Sequence, residues 1–186
     1  SGIEVADVGC GSGHAVNVMG AAFPNSNFVG IDFSEEAINV AREESQRMEL
    51  KNVSFQVQDA AQLTEIERFD FITTFDAVHD QAKPTDMVDG IFKSLKPDSF
   101  WLCADLCASS HLGENLDHPI GTFGYTVSCM HCMSVSLAYG GEGLGAMWGA
   151  QKAREIFQDA GFFIDEVARV DGDAGNNYYV CKKPSN

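Results

Sequence analysis

Two groups of residues have the types and spacing that chemistry needs. The first is Val5-Ala6-Asp7-Val8-Gly9-Cys10-Gly11-Ser12-Gly13-His14, with Asp32 standing 23 residues after Gly9. Glycine has no Cβ, so glycines at alternate positions let a ligand lie against the main chain. A helix starting directly afterwards offers unpaired N–H groups to that ligand. An acid at the end of the following strand, as Asp32 would be, can accept hydrogen bonds from both hydroxyls of a ribose. The second group is Phe75-Asp76-Ala77-Val78-His79-Asp80-Gln81. A histidine among carboxylates can act as a general base near neutral pH, because the charges stabilise its imidazolium. The same residues could instead brace a loop. Asp76, His79 and Asp80 could also begin a metal site, but further ligands would be needed, and we assign no metal.

Positioning these groups requires alternating strands and helices. An apolar strand over residues 3–8 runs into the glycines, and a helix pattern over 15–22 follows. Strands are expected at 28–32, 53–57, 69–75, 100–106, 162–170 and 177–182, with helices from Ser34, over 85–95 and over 151–160. Ser34 is placed to cap its helix, with Glu35 and Glu36 in the first turn where the helix dipole favours negative charge. Residues 171–175 read as a hairpin loop. Such alternation predicts an α/β domain with a mainly parallel sheet. In such sheets ligands lie where the strand order reverses, outside the carboxyl ends of the strands. The stretch from Phe75 to Gln81 therefore faces the reactive end of the ligand. The 108–147 segment exceeds an ordinary connection. Its glycines and a sulfur-rich helix over 127–139 (Cys129, Met130, Cys132, Met133) predict a lid or substrate wall that can move. His118, Tyr125, His131, Tyr139 and Trp148 are possible substrate contacts there.

Composition narrows the function classes. The chain has 186 residues and a net charge of −15, with its 12 basic residues forming no stripe. Nucleic-acid binding relies on Lys and Arg neutralising phosphates, so a nucleic-acid partner is not expected. No apolar run approaches the ~20 residues that span a bilayer, so no membrane partner is expected either. Cys129-Met-His-Cys132 is an isolated C-x-x-C, and zinc needs about four ligands. The six cysteines are therefore read as reduced thiols of a cytoplasmic protein, the C-x-x-C pair as buried thiols on a helix face. The chain opens on a core strand without Met, and we expect an N-terminal segment to precede it.

The glycine spacing is Asp-x-Gly-x-Gly-x-Gly, with Asp7, Gly9, Gly11 and Gly13, and not the G-x-G-x-x-G of nicotinamide enzymes. With this loop, the strand before it and Asp32 after the next strand, the chain resembles the class I S-adenosylmethionine-dependent methyltransferases. The resemblance implies a Rossmann-like fold: a seven-stranded, mostly parallel sheet, its last strand antiparallel, with helices on both faces. It implies S-adenosylmethionine as cofactor, held by Asp7, Gly9, Gly11 and Gly13, with Asp32 on the ribose and Phe33 beside it. Asp59 would meet the adenine amino group and Ala60 the ring through its backbone N–H, while Phe75 and Asp76 line the reactive end. Leu95-Lys96-Pro97-Asp98-Ser99 is similar to the family's Leu-Lys-Pro-Gly-Gly turn, with Asp98 able to take the left-handed conformation.

His79-Asp80 is similar to the His-Asp pair of plant-type phenolic O-methyltransferases, in which the His deprotonates the acceptor. Here Gln81 replaces the tryptophan that often follows. The resemblance thus implies His79 and Asp80 as catalytic residues and a small-molecule acceptor, possessing a hydroxyl if a base is needed. It covers essentially the whole chain as one domain, 1–186. Similar proteins carry an N-terminal helical or winged-helix segment, through which a homodimer could form. The alternative function is a catalytically inactive, cofactor-binding regulatory module.

Overall fold

The computed structural model of the protein describes residues 2–185. Its strands are β1 (Glu4–Val8), β2 (Asn27–Asp32), β3 (Val53–Val57), β4 (Phe69–Phe75), β5 (Leu95–Leu106), β6 (Phe163–Val170) and β7 (Asp173–Lys182). They form one seven-stranded sheet in the order β3-β2-β1-β4-β5-β7-β6. The first five pair in parallel, and β7 runs antiparallel to both β5 and β6. The order reverses at β1, which lies between β2 and β4. The loops after β1 and β4 therefore face one another across the switch point, where open α/β sheets bind ligands.

Side-chain alternation distributes the core over two faces. Val5 joins Val16, Phe28, Ile38, Ala41 and Phe55 under α1 (His14–Ala22) and α2 (Glu35–Arg47). Ala6 and Val8 point the other way, into the cluster with Ile31, Ile72, Met87, Ile91, Trp101 and Phe157. That second face is covered by α3 (Pro84–Ser94) and α6 (Gly149–Asp159), which supply Met87, Ile91 and Phe157. The period of two along a strand forces this division. Trp101 stacks edge-on against Phe157 at 4.6 Å between centroids, and Phe157 against Tyr179 at 5.4 Å. Helix ends follow their local chemistry: Ser34 accepts from Ala37 N–H at 3.2 Å to cap α2, and Pro84 opens α3, where a missing N–H costs nothing.

Three boundaries differ from the sequence expectation. β5 begins at Leu95, because Leu95 pairs with Phe69 before the register breaks. Asp98 sits at φ 62 within that stretch, the left-handed conformation the turn required. β7 begins at Asp173, so the 171–175 loop shrinks to the two residues Asp171 and Gly172, with Gly172 at φ 91.

The third difference is the segment after β5. It contains a 3₁₀ turn (Leu112–Asn115), α4 (Gly121–Val127), a π-helical turn (Ser128–Cys132) and α5 (Met133–Ala138). The helical run thus starts at 121 and not at 127. Gly124 serves close packing: a Cβ there would lie 2.5 Å from Met147 Sδ. Among the described residues, no helix is long and apolar enough to cross a membrane.

Candidate active site

The loop after β1 places Gly9, Gly11 and Gly13 at φ 76, 53 and 71. Their surroundings separate them. A Cβ on Gly9 would come within 2.6 Å of Ala77 Cβ, and one on Gly13 within 2.4 Å of Phe55 Cε1, so these two pack tightly. A Cβ on Gly11 would meet nothing within 4 Å. Gly11 is the position where bare backbone faces open space. Its N–H donates to Asp32 Oδ2 at 2.9 Å, and Ser34 N–H donates to Asp32 Oδ1 at 2.9 Å. A carboxylate has about four acceptor positions, so Asp32 is fixed in orientation and retains capacity for a diol. Asp7 lies beneath the loop, 3% exposed, and accepts from Thr73 Oγ1 at 2.8 Å. Burial pushes its carboxyl up to about 7; the Thr73 hydrogen bond opposes this and the Asp32 charge adds to it.

Beside Asp32 opens a cavity of about 620 Å³, within the usual range for small-ligand sites. Phe33, Asp59 and Ala61 form one side, residues 80–83 another, and His131, Val135, Ser136 and Tyr139 close it from α5 and the π turn. Asp59 is held by Ala61 N–H at 2.9 Å and by Gln62 Nε2 at 2.8 Å. Ala60 is buried, and its neighbour Ala61 reaches the cavity wall.

At the end of β4, Phe75 is exposed and Asp76 takes φ 50. Asn176 Nδ2 donates to Asp76 Oδ2 at 3.2 Å. Partial desolvation, and then the Asp105 charge, hold the Asp76 carboxyl above its ordinary value. His79 is only 3% exposed. Its Nδ1 lies 2.7 Å from Asp105 Oδ1, and its Nε2 lies 3.3 Å from Asp80 Oδ1. Asp105 Oδ1 also accepts from Trp148 Nε1 at 3.0 Å and Leu106 N at 2.8 Å. An oxygen that gathers donors fixes the tautomer: Nδ1 donates, and Nε2 carries the lone pair of the neutral ring. Burial pulls the His79 pKa down, but the hydrogen bond and charge of Asp105, with the charges of Asp80 and Asp76, outweigh it and the net shift is upward.

Cys132 is buried against Asp80; burial first, then the Asp80 hydrogen bond and charge, push its thiol up to about 12. Two groups bring ligand-type atoms within 4.8 Å of one another, His79-Asp80-Cys132 and Asp76-His79-Asp105. These are the places among the described residues that could hold a metal ion.

The predicted residues thus gather at one edge of the sheet. His79 is more deeply buried than its loop position implied, with Asp80 between it and the cavity. The sulfur-rich helix splits: Cys132 is buried, whereas Cys129 and Met130 face solvent, because the π turn rotates them outward. So only one thiol of the C-x-x-C pair is buried. Of the five candidate contacts, His131 and Tyr139 line the cavity. His118 instead bonds Cys107 O at 2.6 Å, Tyr125 bonds Asn115 at 2.8 Å, and Trp148 turns into the core onto Asp105. Asp105 was missed, although an acid ending an apolar strand next to β4 was a signal available to find it.

A family model described as a methyltransferase domain matches residues 1–161. The chain belongs to that family. The methyltransferase domain is similar over 105 residues, at 30% identity, to the malonyl-[acyl-carrier protein] O-methyltransferase of Bacillus anthracis, covering 55% of this chain and 37% of the relative. The enzyme of the same name from Bacillus cereus is 33% identical over 70 residues, 38% of this chain and 25% of the relative. The chain thus spans about a third or less of these relatives. A SAM-dependent methyltransferase from Aquifex aeolicus has the same fold, with a TM-score of 0.72 at 18% identity, covering 98% of this chain and 82% of that one. Family membership brings S-adenosylmethionine as the cofactor. The residues fit it: open space over Gly11, remaining acceptor capacity on Asp32, and an exposed Phe33 lining the cavity together with Asp59.

Proposed function

We propose that this methyltransferase domain methylates a hydroxyl of a small-molecule acceptor, with His79 as general base. The observation that carries the reading is the buried His79–Asp105 pair, 2.7 Å apart, at the carboxyl ends of β4 and β5. S-adenosylmethionine supplies an electrophilic methyl on a sulfonium, which leaves as a neutral thioether. The chain's own work is alignment and proton removal. Nδ1–H donated to Asp105 holds the ring so that Nε2 points towards Asp80, which is also a wall of the cavity. As the acceptor oxygen bonds to the methyl carbon, its proton passes to Nε2, and Asp105 stabilises the imidazolium. Asp80 Oδ1 pairs with Nε2 only when the ring is protonated, so the lone pair of the neutral ring is left to the acceptor. The two Bacillus relatives are O-methyltransferases by name, which supports an oxygen acceptor. Six free cysteines fit a reducing compartment such as the cytoplasm.

The test has two parts. Calorimetric titration of S-adenosylhomocysteine should show binding near one to one, lost in Asp32→Ala. Label transfer from methyl-labelled S-adenosylmethionine to a panel of phenols and hydroxy acids should find an acceptor, and His79→Gln should abolish transfer while leaving cofactor binding intact. Binding with no transfer to any acceptor class, in a protein whose His79 variant behaves like the wild type, would favour the regulatory module instead.

A further inference from the structure

The acceptor reading leaves unused the far end of the helical segment after β5. Tyr139 caps α5, and its ring centroid stands 6.4 Å from that of Phe33, with the planes at 70°. Phe33 directly follows Asp32. Both rings are largely exposed, 61% for Phe33 and 73% for Tyr139, yet both line the same cavity, together with Asp59 and Ala61. Large apolar rings left in water at a cavity mouth gain most from a ligand that covers them. Aromatic rings attract at centroid separations of roughly 4.5–7 Å, so a flat base lying beside Phe33 falls within reach of Tyr139. The nearby polar groups suit a base rather than an aliphatic chain: Asp59 is an acceptor, and Asp32 meets the sugar side.

The position of Tyr139 is built into the fold. Ser136 Oγ donates to Gln81 O at 3.0 Å and accepts from Gly143 N–H at 3.1 Å, and Glu142 N–H donates to Ala82 O at 2.9 Å. At Gly141 a Cβ would come within 2.4 Å of Ala82 Cα, so only glycine lets the two segments approach this closely. These contacts stitch the end of α5 to the loop after β4, which is itself a wall of the cavity.

We propose that Tyr139 is a cofactor-binding residue. It meets the adenine from the α5 side while Phe33 meets it from the β2 side, the base lying against both rings and not between them. The segment after β5 is then a wall of the cofactor pocket as well as of the acceptor space, and bound cofactor holds it down. This rests on the S-adenosylmethionine reading of the cleft.

The experiment is calorimetric titration of S-adenosylhomocysteine, and separately of adenosine, into the wild type, Tyr139→Ala, Tyr139→Phe and Asp32→Ala. Removing a stacking ring should weaken both ligands in Tyr139→Ala by the same factor, about tenfold. Tyr139→Phe keeps the ring and should stay within about twofold of the wild type. Because Tyr139 is exposed, the ligand-free melting temperature of Tyr139→Ala should match the wild type, with a smaller rise on adding ligand. Unchanged binding in Tyr139→Ala, while Asp32→Ala fails to bind, would overturn the assignment and leave the cofactor reading standing. So would a loss confined to S-adenosylhomocysteine, or a Tyr139→Phe as weak as Tyr139→Ala. Failure of the wild type to bind either ligand would overturn both.

Discussion

At the Gly11 end of the cleft the decisive contacts are backbone; at the His79 end they are side chains. Gly11 and Ser34 N–H groups grip Asp32, 21 and two residues away in sequence. Asp105, by contrast, is joined to His79 across 26 residues and to Trp148 across 43, and Cys132 reaches Asp80 from a separate helix. A backbone site needs only that the chain turn in the right place and that no Cβ intrude. A side-chain site needs several distant elements packed in register. On the proposed reading the first touches only the cofactor and can be shared across acceptors. The second is where acceptor choice can change without disturbing cofactor affinity.

If that division is correct, variants at the two ends should fail in different currencies. The largest effect belongs to His79→Gln, with turnover falling about 10²–10⁴-fold and S-adenosylhomocysteine affinity staying within about twofold. Steady-state kinetics beside calorimetry checks this, and parallel losses in both would break the division. At the other end, Gly11→Ala places a Cβ into the open space over the loop. No protein atom opposes it, so folding loses only the left-handed penalty of about 1–2 kcal/mol. Cofactor affinity should fall more than tenfold, and thermal melts with and without ligand would separate the two.

The same contrast explains what was legible in the sequence. Asp7, the three glycines and Asp32 are local signals, each strand ending in its own chemistry, and a mainly parallel α/β sheet followed from strand–helix alternation. His79 and Asp80 were visible as types; Asp105, an acid near the end of the apolar strand β5, was visible as a type too, but its pairing with His79 depends on β5 lying beside β4. The helix over 121–138 was placed too late because Gly121 and Gly124 read as coil. In three dimensions Gly124 exists to let Met147 approach. The π turn was also illegible, since no local composition marks it.

Asp105 sharpens the comparison further, because in the proposed mechanism it serves the reaction through His79. The His79 pKa is raised overall, and a base must be neutral to accept a proton. The rate should therefore rise with pH through a midpoint above the ordinary histidine value of 6.5. Asp105→Asn removes the charge and should move that midpoint down while lowering kcat about tenfold. A merely structural Asp105 would reduce the rate equally at every pH. The stability sign agrees: a raised histidine pKa contributes stability that is present below 6.5 and is lost as pH rises through the folded value.

Asp7 joins Asp32 as a side-chain carboxyl at the backbone end, and its effect falls on stability. Its folded pKa is about 7 against an ordinary 3.8, chiefly because burial penalises the anion. The folded protein therefore holds this proton more tightly than the unfolded chain does. Stability from this group is greatest in acid, declines as pH rises from about 4 to about 7, and is flat above. Asp7→Asn has no proton to lose and keeps an oxygen for the Thr73 hydroxyl, which now donates at 2.8 Å. The variant should match the wild type near pH 4 and exceed it at pH 8 by roughly 1–3 kcal/mol. Denaturant melts at the two pH values measure the difference. Equal stability at pH 8 would mean that Asp7 gains a compensating partner when ionised, and that the backbone end depends on side-chain charge as the His79 end does.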